Sequence, residues 1–113
     1  MKNVYVGNAN KDGMDYRGWI CGQFIKEDSL RKTEGVEVKW GVHKKGEERG
    51  EWGVSEKAMN MAVLVRGKMR IIFPDEEVVL IRGGDYVMWG SGLAHKWRVE
   101  EDTTVVTIRW PSC

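Results

Sequence analysis

Short runs of Val, Ile, Trp and Tyr, separated by breaks that contain Gly or Asp, recur along this sequence. The apolar residues do not return at the three- and four-residue spacing of an amphipathic helix. Runs of this length between turn residues are typical of strands in a sandwich or barrel. The predicted strands are Trp19–Ile25, Val36–His43, Met61–Arg66, Lys68–Phe73, Val78–Arg82, Tyr86–Trp89, His95–Val99 and Thr104–Trp110. The sequence therefore predicts an all-β fold.

The connections between these strands are predicted to be tight turns. The chain has 14 glycines and 2 prolines, and glycine supplies the positive φ angles that hairpins require. The clearest turn is predicted at Gly67, where the runs before and after it would form a hairpin. The charged stretch 44–57 predicts a surface loop with at most one short strand, and a helix is expected only at Glu27–Lys32.

Length and charge exclude several classes of protein. A chain of 113 residues has room for one hydrophobic core. A net charge of +1 provides no field that would attract nucleic acid or an anionic membrane. The two cysteines, Cys21 and Cys113, are far apart and do not indicate a disulfide framework. Since no secretory signal and no run of about 20 apolar residues is present, we expect a cytoplasmic protein with no membrane partner.

The most specific motif runs from Gly84 to His95 and reads GDYVMWGSGLAH. It resembles the second cupin motif, in which a Gly-Asp pair opens a strand, a Pro-x-Gly turn follows and a histidine comes three residues later. Gly90 takes the place of the usual proline, and Val99 that of a frequent asparagine. Together with the run before residue 68, which resembles the end of the first motif, the similarity covers about residues 46–99. The resemblance implies a jelly-roll barrel, the double-stranded β-helix.

The first cupin motif carries a His-x-His pair and a glutamate between two glycines, and these are three of the family's four metal ligands, the fourth being the histidine of the second motif. Counting forward from Gly46 places Trp52 and Val54 at the two histidine positions. Counting back from Gly67 places Asn60 at the glutamate position. The four-ligand metal site that the family implies is therefore degenerate in this chain.

The tail from His95 to Ser112 is similar to that of small single-domain cupins of uncharacterised function. The resemblance implies one cupin domain over residues 1–113, with the strands within residues 1–45 packing on the barrel or swapping with it. Cupins of this size commonly pair through edge strands, so a homodimer is expected.

A metal site of another kind is the alternative that the two histidines leave open. His43 and His95, with Glu47, Glu48 or Glu51, could form a two-His-one-carboxylate site of the kind that non-haem iron enzymes use. Strand alternation argues against it, because His43 lies opposite the apolar face that is expected to point inward, unless a bulge at Gly41 reverses the alternation. That face consists of Val36, Val38, Trp40 and Val42. No cofactor is therefore expected, and a divalent transition metal held by His43, His95 and Glu51 is the alternative.

His95 is the candidate catalytic residue. It alternates with Trp97 and Val99, so it is expected to face the barrel interior. A histidine titrates near neutrality and can act as an acid or a base. The simpler alternative is a core histidine that is hydrogen bonded to a neighbour.

Five further residues are candidates for ligand binding. Trp89 and Trp97 flank the His95 turn and could form a pocket wall, whereas Trp40 and Trp110 are expected in the core. Trp52, in the charged stretch, is the candidate for a pocket lid or an interface residue. The family alignment implies that Asn60 and Arg66 share an inward face. Arg66 could then bind an anionic group, and a salt bridge at the rim is the alternative.

Together these features predict a small-molecule-binding cupin with a degenerate metal site. The alternative is an enzyme, either a metal-dependent oxygenase or isomerase that uses His43, His95 and a glutamate, or a metal-free isomerase with His95 as its base. An interaction protein is a third class. The identity of the small molecule does not follow from the sequence.

Overall fold

The chain folds into seven strands preceded by two short helical turns, in a computed structural model that describes residues 3–112. The helical turns are α1 (Ala9–Asp12) and a 3-10 turn at Gly13–Tyr16. The strands are β1 (Trp19–Cys21), β2 (Glu37–His43), β3 (Glu48–Gly53), β4 (Met59–Ile72), β5 (Glu77–Leu80), β6 (Tyr86–Trp89) and β7 (His95–Trp110). The all-β prediction is confirmed. None of the helices within residues 3–112 is long and apolar enough to cross a membrane.

Two long antiparallel strands, β4 and β7, connect the two halves of the barrel. They pair from Met59 opposite Trp110 to Ile72 opposite Lys96. The first half of β4 also pairs with β6 and its second half with β5. The first half of β7 pairs with β3 and its second half with β2, whose other neighbour is β1. The two halves therefore form sheets that share β4 and β7, which is the jelly-roll arrangement.

The predicted hairpin at Gly67 is wrong, because β4 continues through this glycine as one strand. The β4–β7 register is irregular between Leu64 and Met69, and Gly67 has a φ of 105°. A Cβ on Gly67 would collide with the Asp102 carbonyl oxygen and lie 2.7 Å from the Cα of Thr103. Glycine thus allows β4 and β7 to bend together. The predicted strands His95–Val99 and Thr104–Trp110 likewise form one strand, β7.

The apolar core lies between the two sheets, with Leu64, Ile71 and Val99 almost fully buried. Its main cluster draws on four strands and the turn after β4. The members are Ala62, Leu64, Met69, Ile71, Phe73, Leu80, Trp89 and Val105. Trp40 and Trp110 do not belong to this cluster, contrary to the prediction that both are core residues.

The face of β2 that points into the barrel is the polar one. Glu37 is buried, whereas Val42 on the opposite face is 56% exposed. Trp40, on the same outer face, donates a hydrogen bond from Nε1 to Asn10 Oδ1 at 3.0 Å. The prediction that His43 faces away from the interior is therefore wrong, because the N-terminal segment covers part of the apolar face from outside.

The N-terminal segment is attached to the barrel by β1 and by the buried side chain of Arg31. Its Nε donates to the Ile20 carbonyl at 2.8 Å, and its Nη2 donates to the Asp12 carbonyl at 3.1 Å. The predicted helix at Glu27–Lys32 is absent, and bends and turns occupy these residues. The backbone instead folds back so that Gly22 bridges to Lys32.

Gly67→Ala tests the role of the bend. We expect it to lower the free energy of unfolding by roughly 3 kcal/mol or more, because it adds a steric collision to the strain of a positive φ. Gly46→Ala is the control, since Gly46 has a φ of 94° and no atom within 4 Å of the added Cβ. It should cost only about 1–2 kcal/mol. Equal losses in urea unfolding experiments would show that the close approach at Gly67 is unimportant.

Candidate functional site

A cavity of about 280 Å³ lies inside the barrel, between the two sheets. Five strands contribute side chains to it, and both charged and apolar residues are present. The lining residues are Lys39, Gly41 and His43 from β2, Glu48 and Arg49 from β3, Ala62, Met69 and Ile71 from β4, Trp89 from β6, and His95, Trp97, Val105, Thr107 and Arg109 from β7. The volume lies just below the usual range of about 300–1,000 Å³, which suits a small organic molecule.

His95 lies in the wall of this cavity at the start of β7. It is 5% exposed, and its backbone partner across the sheet is Gly53 of β3. Its ring centroid is 4.8 Å from that of Trp89. His43 makes a similar contact with Trp97, also at 4.8 Å. The alternation along β7 thus places His95 and Trp97 in the interior. His95 contacts Trp89 there, and Trp97 contacts His43, and all four side chains line the same cavity.

Within the described residues, three buried polar atoms of side chains that line the cavity have no hydrogen-bond partner. They are Trp89 Nε1, His95 Nδ1 and Arg109 Nε, and all three residues line the cavity. A buried polar group without a partner costs about 1–3 kcal/mol, so such groups are rare and call for an explanation. Their collection around one cavity indicates a site where a bound polar molecule can satisfy them.

The imidazole of His95 is neutral at physiological pH. Burial lowers its pKa from 6.5 to about 4, helped by the positive charges of Arg109 and Arg49. A hydrogen bond with the backbone of Gly53 acts in the opposite direction and is outweighed. A neutral imidazole can donate through one nitrogen and accept through the other. His95 is therefore suited to a hydrogen bond with a ligand.

Three cationic side chains line the cavity: Lys39, Arg49 and Arg109. Burial lowers the pKa of Lys39, and repulsion from Arg109, Arg49 and Arg17 lowers it further. Arg109 Nη1 pairs with Glu37 Oε2 at 3.3 Å. Among the ion pairs within residues 3–112, none involves Lys39 or Arg49. The interior of β2 and β7 thus presents positive charge to the cavity.

An aromatic ring partly compensates the two more buried of these three cations. Lys39 Nζ lies 5.7 Å from the ring centroid of Trp19, and Arg109 Cζ lies 5.0 Å from it. A cation over an aromatic face gains about 0.5–2 kcal/mol, less than a fully formed buried ion pair between close partners can supply. The contacts with Trp19 therefore partly stabilise Lys39 and Arg109 but do not neutralise their charges.

Two predicted ligand-binding residues lie on the surface, outside the cavity. Trp52 is 46% exposed, and its ring carries Lys96 Nζ at 4.5 Å from the centroid. Arg66 is also exposed, because the register irregularity after Leu64 interrupts the alternation that would have turned it inward. Neither residue is placed to contact a molecule inside the barrel.

Asn60 is inside the barrel, and its amide is used locally. It is fully buried, and its Nδ2 donates to the Ala58 carbonyl at 3.1 Å. Its Oδ1 accepts a hydrogen bond from Ser55 Oγ at 3.2 Å. Both ends of the amide therefore hold the turn before β4, and Asn60 does not line the cavity.

The alternative metal ligands do not converge. No group of three His, Cys, Asp or Glu side chains that could hold a metal occurs within residues 3–112. His43 Nδ1 lies 3.4 Å from Glu47 Oε1, and Glu51 is exposed on β3. The set of His43, His95 and Glu51 is thus not assembled, because Glu51 points away from the interior that His43 and His95 share.

Sequence reasoning missed the cations Lys39, Arg49 and Arg109. A signal was present in the alternation of β2, where Glu37, Lys39 and His43 lie on one face. On the inner face Glu37 lies opposite Arg109, and Lys39 lies opposite Thr107. The apolar residues between them suggested the opposite orientation, since an apolar strand face is usually the buried one.

A larger depression of about 610 Å³ lies outside the barrel, between β1, β2 and the N-terminal segment. Cys21 lines it, and burial raises the pKa of this thiol. Its buried cation, Arg31, already donates to two backbone carbonyls. The depression therefore offers less polar recognition than the interior cavity.

The neutral state of His95 has a consequence for stability. The unfolded chain binds a proton on His95 below about pH 6.5, and the folded chain does so only below about pH 4, so stability is lost as pH falls through this window. Between about pH 7 and about pH 4.5 the loss should reach roughly 2–3 kcal/mol. His95→Gln should lose that much less over the same range in urea unfolding. An equal pH dependence in both proteins would contradict the depressed pKa.

Solved structures similar to this chain share its barrel. KdgF from a Halomonas species is 19% identical, with 70% of this chain and 72% of that chain covered at a TM-score of 0.63. A cupin-2 domain protein from Shewanella frigidimarina is 18% identical, with 91% and 92% covered at 0.61. A double-stranded β-helix protein from Klebsiella pneumoniae is 17% identical, with 71% and 70% covered at 0.63. Comparisons with protein-family models and with curated proteins give no match. The resemblance carried by the Gly84–His95 motif is confirmed at the level of architecture, and this chain has the cupin fold.

Proposed function

We propose that the protein binds a small organic molecule inside its barrel, with His95, Trp89 and Trp97 in contact with it. The observation that carries the proposal is the set of three unpartnered polar atoms around one cavity. A ligand pocket typically combines an apolar wall with a few polar groups that fix orientation. The cavity has both, since Met69 and Ile71 line it beside these polar groups.

Binding is better supported than catalysis by His95. A general base works best when its pKa lies near the operating pH. The pKa of His95 at about 4 makes its neutral imidazole a weak proton acceptor. The metal-dependent alternative has no assembled ligand set within the described residues. We therefore propose that His95 acts as a hydrogen-bonding contact.

Trp89→Phe tests the proposal, because it removes the unpartnered indole N–H and keeps an aromatic ring. Small organic molecules that raise the melting temperature of the natural protein should raise that of the variant less, since the lost donor weakens binding. A thermal-shift screen of a small-molecule panel provides the measurement. Trp52→Phe, outside the cavity, is the matched control and should respond like the natural protein.

The same protein preparation can be tested for a bound metal. Elemental analysis of untagged protein should find no stoichiometric transition metal. A metal present at one per chain and lost in His95→Ala would overturn the metal-free proposal. If no molecule in the panel shifts the melting temperature of the natural protein, binding in the barrel is itself contradicted.

We also propose a homodimer, formed through the outer face of the sheet that contains β6. On this face Met61 lies opposite both Met88 and Ile108, and Val63 lies opposite both Tyr86 and Val106. Tyr86 is 63% exposed and Met88 48% exposed. A contiguous apolar patch is typical of an interface, and a patch of this kind can pair with its own copy about a two-fold axis. The patch favours face-to-face packing over the edge-strand pairing expected from the sequence.

Met88→Lys should convert the dimer into a monomer, because it places a charge within the apolar patch. Analytical ultracentrifugation measures the change. Ile81→Lys is the control, since Ile81 is 57% exposed and lies after β5, outside the patch. A natural protein that is monomeric at micromolar concentration, or a Met88→Lys variant that stays dimeric, would rule out this interface.

A further inference from the structure

We infer that the molecule held in the barrel is an anion of the carboxylic acid class, with its carboxylate against Lys39, Arg109 and Arg49 and its apolar body against β4. This inference rests on the proposed function and names the class of ligand. It depends on the charge, the burial and the unpartnered donors of the residues that line the cavity.

Among the described residues, the charged side chains at the cavity carry an excess of positive charge. Three cations line it, and the carboxylates near them are Glu48, in the lining, and Glu37, just beyond it. Glu37 is already engaged twice, since Oε2 accepts from Arg109 Nη1 and Oε1 accepts from Ser112 Oγ at 2.9 Å. The remaining excess of about one positive charge matches a monoanion, because His95 is neutral.

Lys39 is the cation that most needs a partner. It lies on the inner face of β2, between Glu37 and Gly41, and is only partly exposed. Within the described part of the chain it forms no ion pair, and its ammonium is near the ring of Trp19. An ammonium has three donors and no acceptor. A carboxylate in the cavity would neutralise Lys39 and accept its hydrogen bonds.

The unpartnered atoms favour an acceptor as well. Trp89 Nε1 and Arg109 Nε are donors only, and each can donate a hydrogen bond to a carboxylate oxygen. A carboxylate has two oxygens with about four acceptor positions, and it forms charge-assisted hydrogen bonds with guanidinium groups. A neutral ligand rich in donors would leave these groups unsatisfied.

The rest of the lining suits the organic part of such an acid. Met69, Ile71, Ala62 and Val105 present apolar surface to the same cavity, and Trp97 adds an aromatic face. Inorganic phosphate or sulfate would leave this surface without contacts. The cavity of about 280 Å³ limits the acid to a small one.

Lys39→Met tests the inference without knowledge of the natural ligand. Methionine keeps a flexible chain and removes the charge. In the ligand-free protein it should raise the melting temperature, because repulsion from Arg109 and Arg49 and the desolvation of an ammonium are both removed. Lys96→Met is the matched control, since this substitution removes the same charge from a lysine that contacts Trp52, outside the cavity. A lower melting temperature in Lys39→Met alone would show that the protein already compensates Lys39 and would overturn the inference.

Paired probes test the class of ligand directly. Benzoate and isobutyrate should raise the melting temperature of the natural protein, and their neutral isosteres benzamide and isobutyramide should not. Lys39→Met should weaken carboxylate binding about tenfold to a hundredfold in calorimetric titrations, and Lys96→Met should not. If Lys39→Met fails to fold, Arg49→Gln at the exposed side of the cavity serves in its place, with the same expected direction.

The outcomes separate this inference from the proposed function. Binding of the amides with no response to the carboxylates would overturn the anionic ligand and leave a small-molecule barrel. Binding of carboxylates with equal affinity to the natural protein and Lys39→Met would also overturn it, since the cations would then take no part. If neither these probes nor the wider panel binds, both proposals fail.

Discussion

The pairing of β4 with β7 supports the rest of the molecule, because every other strand of the barrel except β1 bonds to one of these two. Both strands take part in both sheets, so their common bend determines how the sheets enclose the interior. The bend depends on the backbone contact between Gly67 and the segment at Asp102 and Thr103. Thr103 Oγ1 closes the contact by accepting from the Lys68 amide at 3.1 Å. A side chain on Gly67 would collide with this segment and separate the two strands at the bend.

The interior of the barrel is unusual because it contains charged side chains beside its apolar core. Leu64, Ile71 and Val99 pack as an ordinary core, whereas the inner face of β2 carries Glu37 and Lys39. Burial of charge costs several kcal/mol per ion unless partners compensate it. At the cavity Glu37 compensates Arg109, whereas none of the ion pairs within residues 3–112 involves Lys39. The protein thus accepts a stability cost at the cavity, which is characteristic of a site retained for function.

The same environment changes the chemical role that the motif position of His95 would suggest. In the sequence it marks the end of the cupin motif, and its ordinary pKa would suit acid–base chemistry. In the folded protein, burial and the nearby guanidinium groups keep it neutral. The histidine therefore contributes a hydrogen-bonding nitrogen, and the cations around it supply the charge. Neither the neutral state of His95 nor the charge around it can be assigned from His95 by itself. Arg109 lies near the other end of β7, and Arg49 lies on β3.

The sequence by itself determined the all-β class, the cupin architecture and the inward position of His95 and Trp97. The class and the inward positions follow from local spacing, since two-residue alternation and turn residues act over a few positions of the chain. The architecture follows from the resemblance of Gly84–His95 to the second cupin motif. It did not determine that β4 passes through Gly67 without turning, or that β2 directs Lys39 and His43 inward. Both depend on what packs against each strand, namely β7 at the bend and the N-terminal segment on the apolar face of β2. Only the tertiary structure decides such contacts, because the strands that meet there are far apart in the chain.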